Sequence, residues 1–256
     1  MTRAQERWGL GILLGLVVLS VLPALRGEWL VDDVPLVLQN RHVHALSWEN
    51  VSWAFTHDMW DVDLELAQSS ARSVYYRPLV LLSYALDWIL GAGTTTSFHV
   101  TNLILHLGVT YLVVRALTRW LGSSTLGLVG GALYALHPAK IESVAWISGR
   151  PDLLATLGIL IACEGVARGL RRHSGSAPLV FLGMALGYLS KETTVVLPLL
   201  AFIEILVVRR ERGARFTPLF DRETLRVVAP QLVVAVSYLT LRHFFLPLRP
   251  FAITGL

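Results

Sequence analysis

Eight apolar runs, at residues 8–26, 78–91, 98–117, 123–137, 152–168, 177–190, 193–208 and 226–245, constrain this chain more than any other feature. Backbone polar groups in hydrocarbon must be satisfied within the protein and an open sheet edge cannot face lipid, so all eight read as helices. The charged fraction is 16% and the hydrophobic fraction 54%, against about a quarter charged for a soluble domain. The expectation is an all-α, polytopic membrane protein, residues 1–256 forming one membrane domain with no separate soluble domain.

The formal charge of +4 raises nucleic acid as a partner, but the arginines cluster in short linkers between apolar runs, as the positive-inside rule requires. The basicity therefore reads as topology. The lone Cys163 lies within an apolar run, so no disulfide can form within one chain. Run 8–26 follows Arg3 and Arg7 and could be a signal peptide; its length and the lack of a clear small-x-small cleavage site favour a retained anchor.

Two linkers fix the orientation. Arg168, Arg171 and Arg172 mark one inner loop; Arg209, Arg210, Arg212, Arg215, Arg222 and Arg226 mark another. The turn between them, around Ser190, Lys191 and Glu192, then lies outside, as does the segment from His137 to Asp152. Run 78–91 is left with both ends outside and is short for a span. It reads as an interfacial or re-entrant helix within a first outer loop, 27–97, whose Trp29, Trp48, Trp53, Trp60 and Trp88 suit a membrane boundary. Residues 98–245 form the helical bundle, for about seven transmembrane helices in all. If 78–91 crossed instead, the arginine clusters would face outward.

This topology gathers the unusual polar residues on one face: Asp32, Asp33, Arg77, His99, Asn102, His137, Lys140, Glu142, Arg150, Asp152, Lys191 and Glu192. Ionisable groups beside membrane spans are costly unless used. Carboxylates next to fixed cations suit a reaction that needs a general base and a stabilised anionic leaving group, such as a phosphate. Each element also has a plainer reading. Asp32–Asp33 could be the solvated start of a loop, Arg77 could snorkel to headgroups, and Lys191–Glu192 could neutralise each other. His99, Asn102 and His106 share a helical face, a spacing that suits interhelical hydrogen bonding better than a metal. Motifs for nucleotide hydrolysis, dinucleotide redox and zinc proteolysis are absent.

The ordered set WLVDDV, YYRPLVLLSYALD, FHVTNLILH, ALHPAKIESVAWISGRPDLLA and LSKETTVVLPL, within residues 28–205, resembles the amino-terminal membrane region of the transmembrane-and-TPR O-mannosyltransferase family, in the GT-C class of glycosyltransferases. The resemblance implies a GT-C-like bundle, a polyprenyl- or dolichyl-phosphate-sugar donor, and a hydroxyl acceptor on protein serine or threonine. It implies that Asp32 and Asp33 are the acidic pair of the first outer loop, one acting as base in an inverting displacement and the other orienting the acceptor or a divalent ion. Arg77 falls where related transferases carry a cation, Glu142 or Asp152 belongs to the second outer loop, and Lys191 with Glu192 matches the SKE element. Arg150 is carried in that second loop, and His99 and His137 are candidates for hydrogen bonds to the donor or the carboxylates.

An aspartate pair without histidine or cysteine suits Mg or Mn without requiring either. The expected partners are the lipid-linked sugar, an acceptor protein or lipid, and membrane lipids, with no nucleic acid. The expected location is a bacterial inner membrane or the endoplasmic reticulum membrane, active face periplasmic or lumenal. The family continues into further spans and tetratricopeptide repeats, which these 256 residues do not include. A non-catalytic scaffold or fragment is the alternative, and a transporter ranks behind it because the ionisable groups sit mainly at span ends.

Overall fold

The computed structural model describes residues 2–62, 75–171, 176–211, 213 and 222–245. Residues 63–74 of the first loop and the linker arginines Arg172, Arg212 and Arg215 lie outside the described residues, as do the side chains of Arg222 and Arg226.

Every apolar run is helical. The α-helices are α1 (Arg3–Val21), α2 (Trp48–Thr56), α3 (Pro78–Leu90), α4 (Thr95–Leu121), α5 (Ser124–Ala135), α6 (Lys140–Ala145), α7 (Arg150–Leu170), α8 (Ser176–Tyr188), α9 (Leu197–Glu211) and α10 (Arg222–Phe245). Short 3-10 turns extend α1, precede α7 and precede α9. Local signals set the ends: Thr2 and Gln5 form a capping box on α1, and Pro78 and Pro151 sit in first turns where no amide hydrogen is needed. Gly122, at φ 66°, ends α4 in the left-handed conformation. Ser123 then caps α5, so the two helices fold back on each other.

Among the described residues, three helical stretches are long and apolar enough to cross a membrane: Arg3–Arg26, Thr95–Leu121 and Ile147–Leu170. The chain is thus an all-helical membrane protein over its described residues. A span needs about 20 residues; α5, α8 and α9 have 12, 13 and 15, so the expected seven crossings are not all met by length.

Helix α7 is the hub. Of the apolar window within Ile147–Leu170, 61% is buried, against 11% for Arg3–Arg26, whose Trp8, Ile12 and Leu19 face outward. Helices α7 and α8 are antiparallel and nearly in backbone contact. A Cβ on Gly158 would lie 2.5 Å from the Gly187 nitrogen, and one on Gly165 2.8 Å from the Val180 nitrogen. Small residues permit this approach where lipid supplies no hydrophobic drive for helix association.

Helices α4, α7 and α9 run in the same direction. At their starts, the Arg150 Nε donates to Asn102 Oδ1 at 2.8 Å. At their ends, Arg119 reaches Glu164 on α7 at 2.6 Å and Glu204 on α9 at 2.8 Å. Helix α3 behaves differently. Arg77 before its first turn pairs with Glu192, and Asp87 in its last turn contacts Arg150 at 2.5 Å. Both ends of α3 therefore meet the bundle at the same side, over a core of Leu36, Val37, Val80, Tyr84, Phe98 and Ile147.

Candidate active site at one end of the bundle

The WLVDDV segment turns sharply. Val31 has φ 39°, a left-handed conformation that is a genuine outlier for a β-branched residue and costs on the order of 1–3 kcal/mol. The turn gives the two aspartates opposite environments. Asp33 is 1% exposed: its Oδ1 accepts the Ser148 amide at 2.8 Å and the Ser148 hydroxyl at 2.5 Å, and its Oδ2 accepts the Leu30 amide at 3.1 Å. Burial pushes its carboxyl above the ordinary aspartate value, against the Ser148 and Leu30 hydrogen bonds, which pull it down. Asp32 lines an open cavity of about 260 Å³.

That cavity collects residues from five parts of the chain. Asp32 comes from the first loop, Arg77 from the entry to α3, Glu142 from α6, Asp152 from the first turn of α7, and Lys191 from the turn between α8 and α9. Lys191 Nζ donates to Asp152 Oδ1 at 2.6 Å. Arg77 donates to Glu192 at 3.1 Å and stacks over the Tyr75 ring at 4.4 Å, while its buried Nε has no hydrogen-bond partner among the described residues. Burial raises the Glu192 carboxyl, but its backbone hydrogen bond and the Arg77 charge outweigh that and hold it below the ordinary glutamate value. The Leu79 amide donates to the Leu189 carbonyl at 3.1 Å, which ties α3 to the turn that carries Lys191.

Other sequence-selected residues are placed elsewhere. Arg150 is 0% exposed; it donates to Asn102 Oδ1, the Ser83 hydroxyl and the Phe98 carbonyl, and lies against the Asp87 carboxylate and the Tyr84 ring. It organises the wall behind the cavity and does not line it. His99 is buried, with its Nε2 close to Gly27. His137 borders a separate small pocket with His106 and Lys140. The shared face of α4 is used for packing: Asn102 Nδ2 donates to the Val144 and Trp146 carbonyls, and His106 Nε2 pairs with the Ala135 carbonyl.

The sequence reading missed Met59, Tyr75, Trp146 and Ser148, which form much of the cavity wall. Trp60, marked out only as a boundary tryptophan, also lines it. Their neighbours Asp58 and Gly149 gave the only signal, as turn residues beside aromatics.

No cluster of three or more His, Cys, Asp or Glu side chains suited to a metal occurs among the described residues. Both Asp33 oxygens already accept protein hydrogen bonds, so Asp32 and Asp33 do not present a paired carboxylate face to an ion. The donor set fits Mg or Mn poorly.

No family model and no solved structure matches the chain. Curated proteins do. It is 32% identical over 183 residues to the fruit fly (Drosophila melanogaster) protein O-mannosyl-transferase Tmtc2, covering 68% of this chain and 19% of that protein. It is 30% identical over 206 residues to human (Homo sapiens) protein O-mannosyl-transferase TMTC4, covering 71% and 27%. It is 30% identical over 228 residues to mouse (Mus musculus) TMTC2, covering 86% and 26%. The chain spans about a fifth to a quarter of the length of these relatives, and over that span it belongs to the transmembrane-and-TPR protein O-mannosyltransferase family.

Proposed function

We propose that the chain is the membrane portion of a glycosyltransferase that moves a sugar, mannose by analogy with its relatives, from a polyprenyl- or dolichyl-phosphate donor to a serine or threonine hydroxyl. The observation that carries this reading is the convergence of Asp32, Arg77 and Lys191 on one cavity. In an inverting displacement the acceptor oxygen attacks the sugar C1, the bond from C1 to the phosphate oxygen breaks, and the bonding pair leaves with the lipid phosphate. The acceptor proton passes to Asp32.

Asp32 is the base because it is the aspartate that meets the cavity. Asp33 is a positioning residue that holds the first loop against Ser148. Arg77 and Lys191 meet the charge that develops on the phosphate; each is pre-oriented by its own carboxylate. Glu142 and Asp152 border the acceptor side. In this reading seven helices cross the membrane, the cavity faces the periplasm or lumen, and α3 lies in the outer interface. The arginine-rich opposite end of the bundle supports that orientation.

The test is transfer of labelled mannose from polyprenyl-phosphate mannose to a serine/threonine-rich peptide by the purified chain. Asp32→Asn should reduce the rate by about 10²-fold or more, the scale of general-base loss, with thermal stability unchanged. Transfer by the wild type that survives this substitution would sink the assignment of Asp32.

A further inference from the structure

A second cavity, larger than the acidic one, lies at the other end of the bundle. It measures about 600 Å³ and is walled, among the described residues, by Arg115 and Arg119 of α4, Arg168 and Arg171 around the end of α7, and two carboxylates, Glu164 and Glu211. Four guanidinium groups against two carboxylates leave the described wall net positive. Glu164 serves three of them at once: Arg115 at 3.0 Å, Arg119 at 2.6 Å and Arg168 at 3.0 Å. One carboxylate cannot satisfy three planar cations with five donors each.

The donors divide into two sets. Arg119 is spent inward, on Glu164 and on the fully buried Glu204, which also accepts the Trp120 indole N–H at 3.0 Å. Arg115 gives one terminal nitrogen to Glu164 at 3.0 Å and the other to the Tyr111 hydroxyl at 3.4 Å, each nitrogen keeping a second N–H, and both Arg115 and Arg168 remain almost half exposed, at 44% and 46% of their side-chain surface. Arg168 binds Glu164 through Nε alone, so no contact among the described residues engages its terminal fork. A guanidinium fixed on one side by a carboxylate with its fork open matches the bidentate geometry of a phosphate.

Scattered arginines at helix ends would need no explanation beyond topology. Here they line one concavity, at the level where two helices of spanning length end. Phosphates of lipid headgroups occupy that level in a bilayer.

We infer that this cavity is a phosphate-binding site, built from Arg115 and Arg168 on the Glu164 anchor, whose occupant is the headgroup of an anionic membrane phospholipid. It is separate from the acidic cavity and does not depend on the glycosyltransferase reading.

The experiment measures lipid retention by native mass spectrometry and thermal stability of the purified chain in detergent. The probes are phosphatidylglycerol, phosphatidylcholine and inorganic phosphate, each added separately. The variants are Arg115→Gln/Arg168→Gln, which leaves the Arg119–Glu204 contact in place, and Arg7→Gln, an exposed arginine outside the cavity. Phosphatidylglycerol should be retained and raise the melting temperature of the wild type, phosphatidylcholine should not, and the double variant should bind about tenfold or more weakly, as expected for losing charge-assisted hydrogen bonds. The double variant keeps the Arg119–Glu164 contact, and its response is read as the shift that lipid adds to its own lipid-free melting temperature, which should vanish. An equal response to inorganic phosphate, abolished in the double variant, supports the anion site and overturns the lipid as its occupant. Equal binding of both lipids, or equal weakening by Arg7→Gln, overturns the site itself.

Discussion

Asp33 and Ser148, 115 residues apart in sequence, are joined by two hydrogen bonds to a single carboxylate oxygen. Through that junction the first loop and the turn ahead of α7 become one wall, and Asp32 takes its place on the cavity because its neighbour is anchored beneath it.

Asp33→Ala should destabilise the chain by about 2–3 kcal/mol, since it strands the Ser148 amide, the Ser148 hydroxyl and the Leu30 amide without an acceptor. Asp33→Asn should cost less, because one oxygen remains for Ser148. Burial raises the folded-state value of this carboxyl, so its contribution is full below the ordinary aspartate value of about 3.9 and is lost as pH rises through the raised value. Melting curves between acid and neutral pH should show that decline in the wild type and not in Asp33→Asn.

Glu192 has the opposite sign. Its folded value is lowered, so its contribution is present above the ordinary glutamate value of about 4.3 and disappears as pH falls through the lowered one. Glu192→Gln should flatten the acid limb of stability, which a melting series in detergent would reveal; an unchanged limb would mean that Arg77 finds another anion.

Arg150→Met should cost about 3–5 kcal/mol, because it leaves the Asp87 carboxylate buried without its cation. Adding Asp87→Asn should recover part of that loss. Denaturant midpoints for the two single variants and the double form a thermodynamic cycle, and strictly additive costs would show that the two residues are not coupled.

Gly158→Val and Gly15→Val make the same chemical change in two helices. At Gly158 the new side chain meets the Gly187 backbone, whereas at Gly15 nothing lies within 4 Å. The first should lower stability by at least about 1–3 kcal/mol from overpacking. The second should cost little beyond β-branching within a helix, and similar losses in both would refute the close contact of α7 with α8.

The helices were legible because apolar runs and capping residues are local signals: each run lies in a helix, and Pro78, Gly122 and Pro151 stand where such residues begin or end one. The cavity was legible only in part. Asp32, Arg77, Glu142, Asp152 and Lys191 could be grouped by reasoning about which linkers share a side of the membrane. Depth could not be read in that way. Arg150 looks like any other cation in a polar segment until Asp87 and Asn102, 63 and 48 positions earlier, close around it. Asp33 differs from Asp32 only through a backbone turn at Val31, a residue type that gives no hint of a left-handed conformation. The apolar wall of Met59, Trp60 and Trp146 depends on how the first loop folds back, which no local pattern encodes.

Helices α4 and α7 are fastened twice, by Asn102 to Arg150 near their starts and by Arg115 and Arg119 to Glu164 near their ends. Two parallel rods clamped at both extremities can neither slide nor splay, so they act as a stationary chassis. Helix α3 joins that unit through Asp87 and Ser83, which both meet Arg150, while its entry is held to the Lys191 turn by the Arg77–Glu192 pair and one backbone hydrogen bond. The seam between the start of α3 and that turn is therefore the lightly stitched edge of an otherwise riveted frame, and it borders the acidic cavity through Arg77 and Lys191.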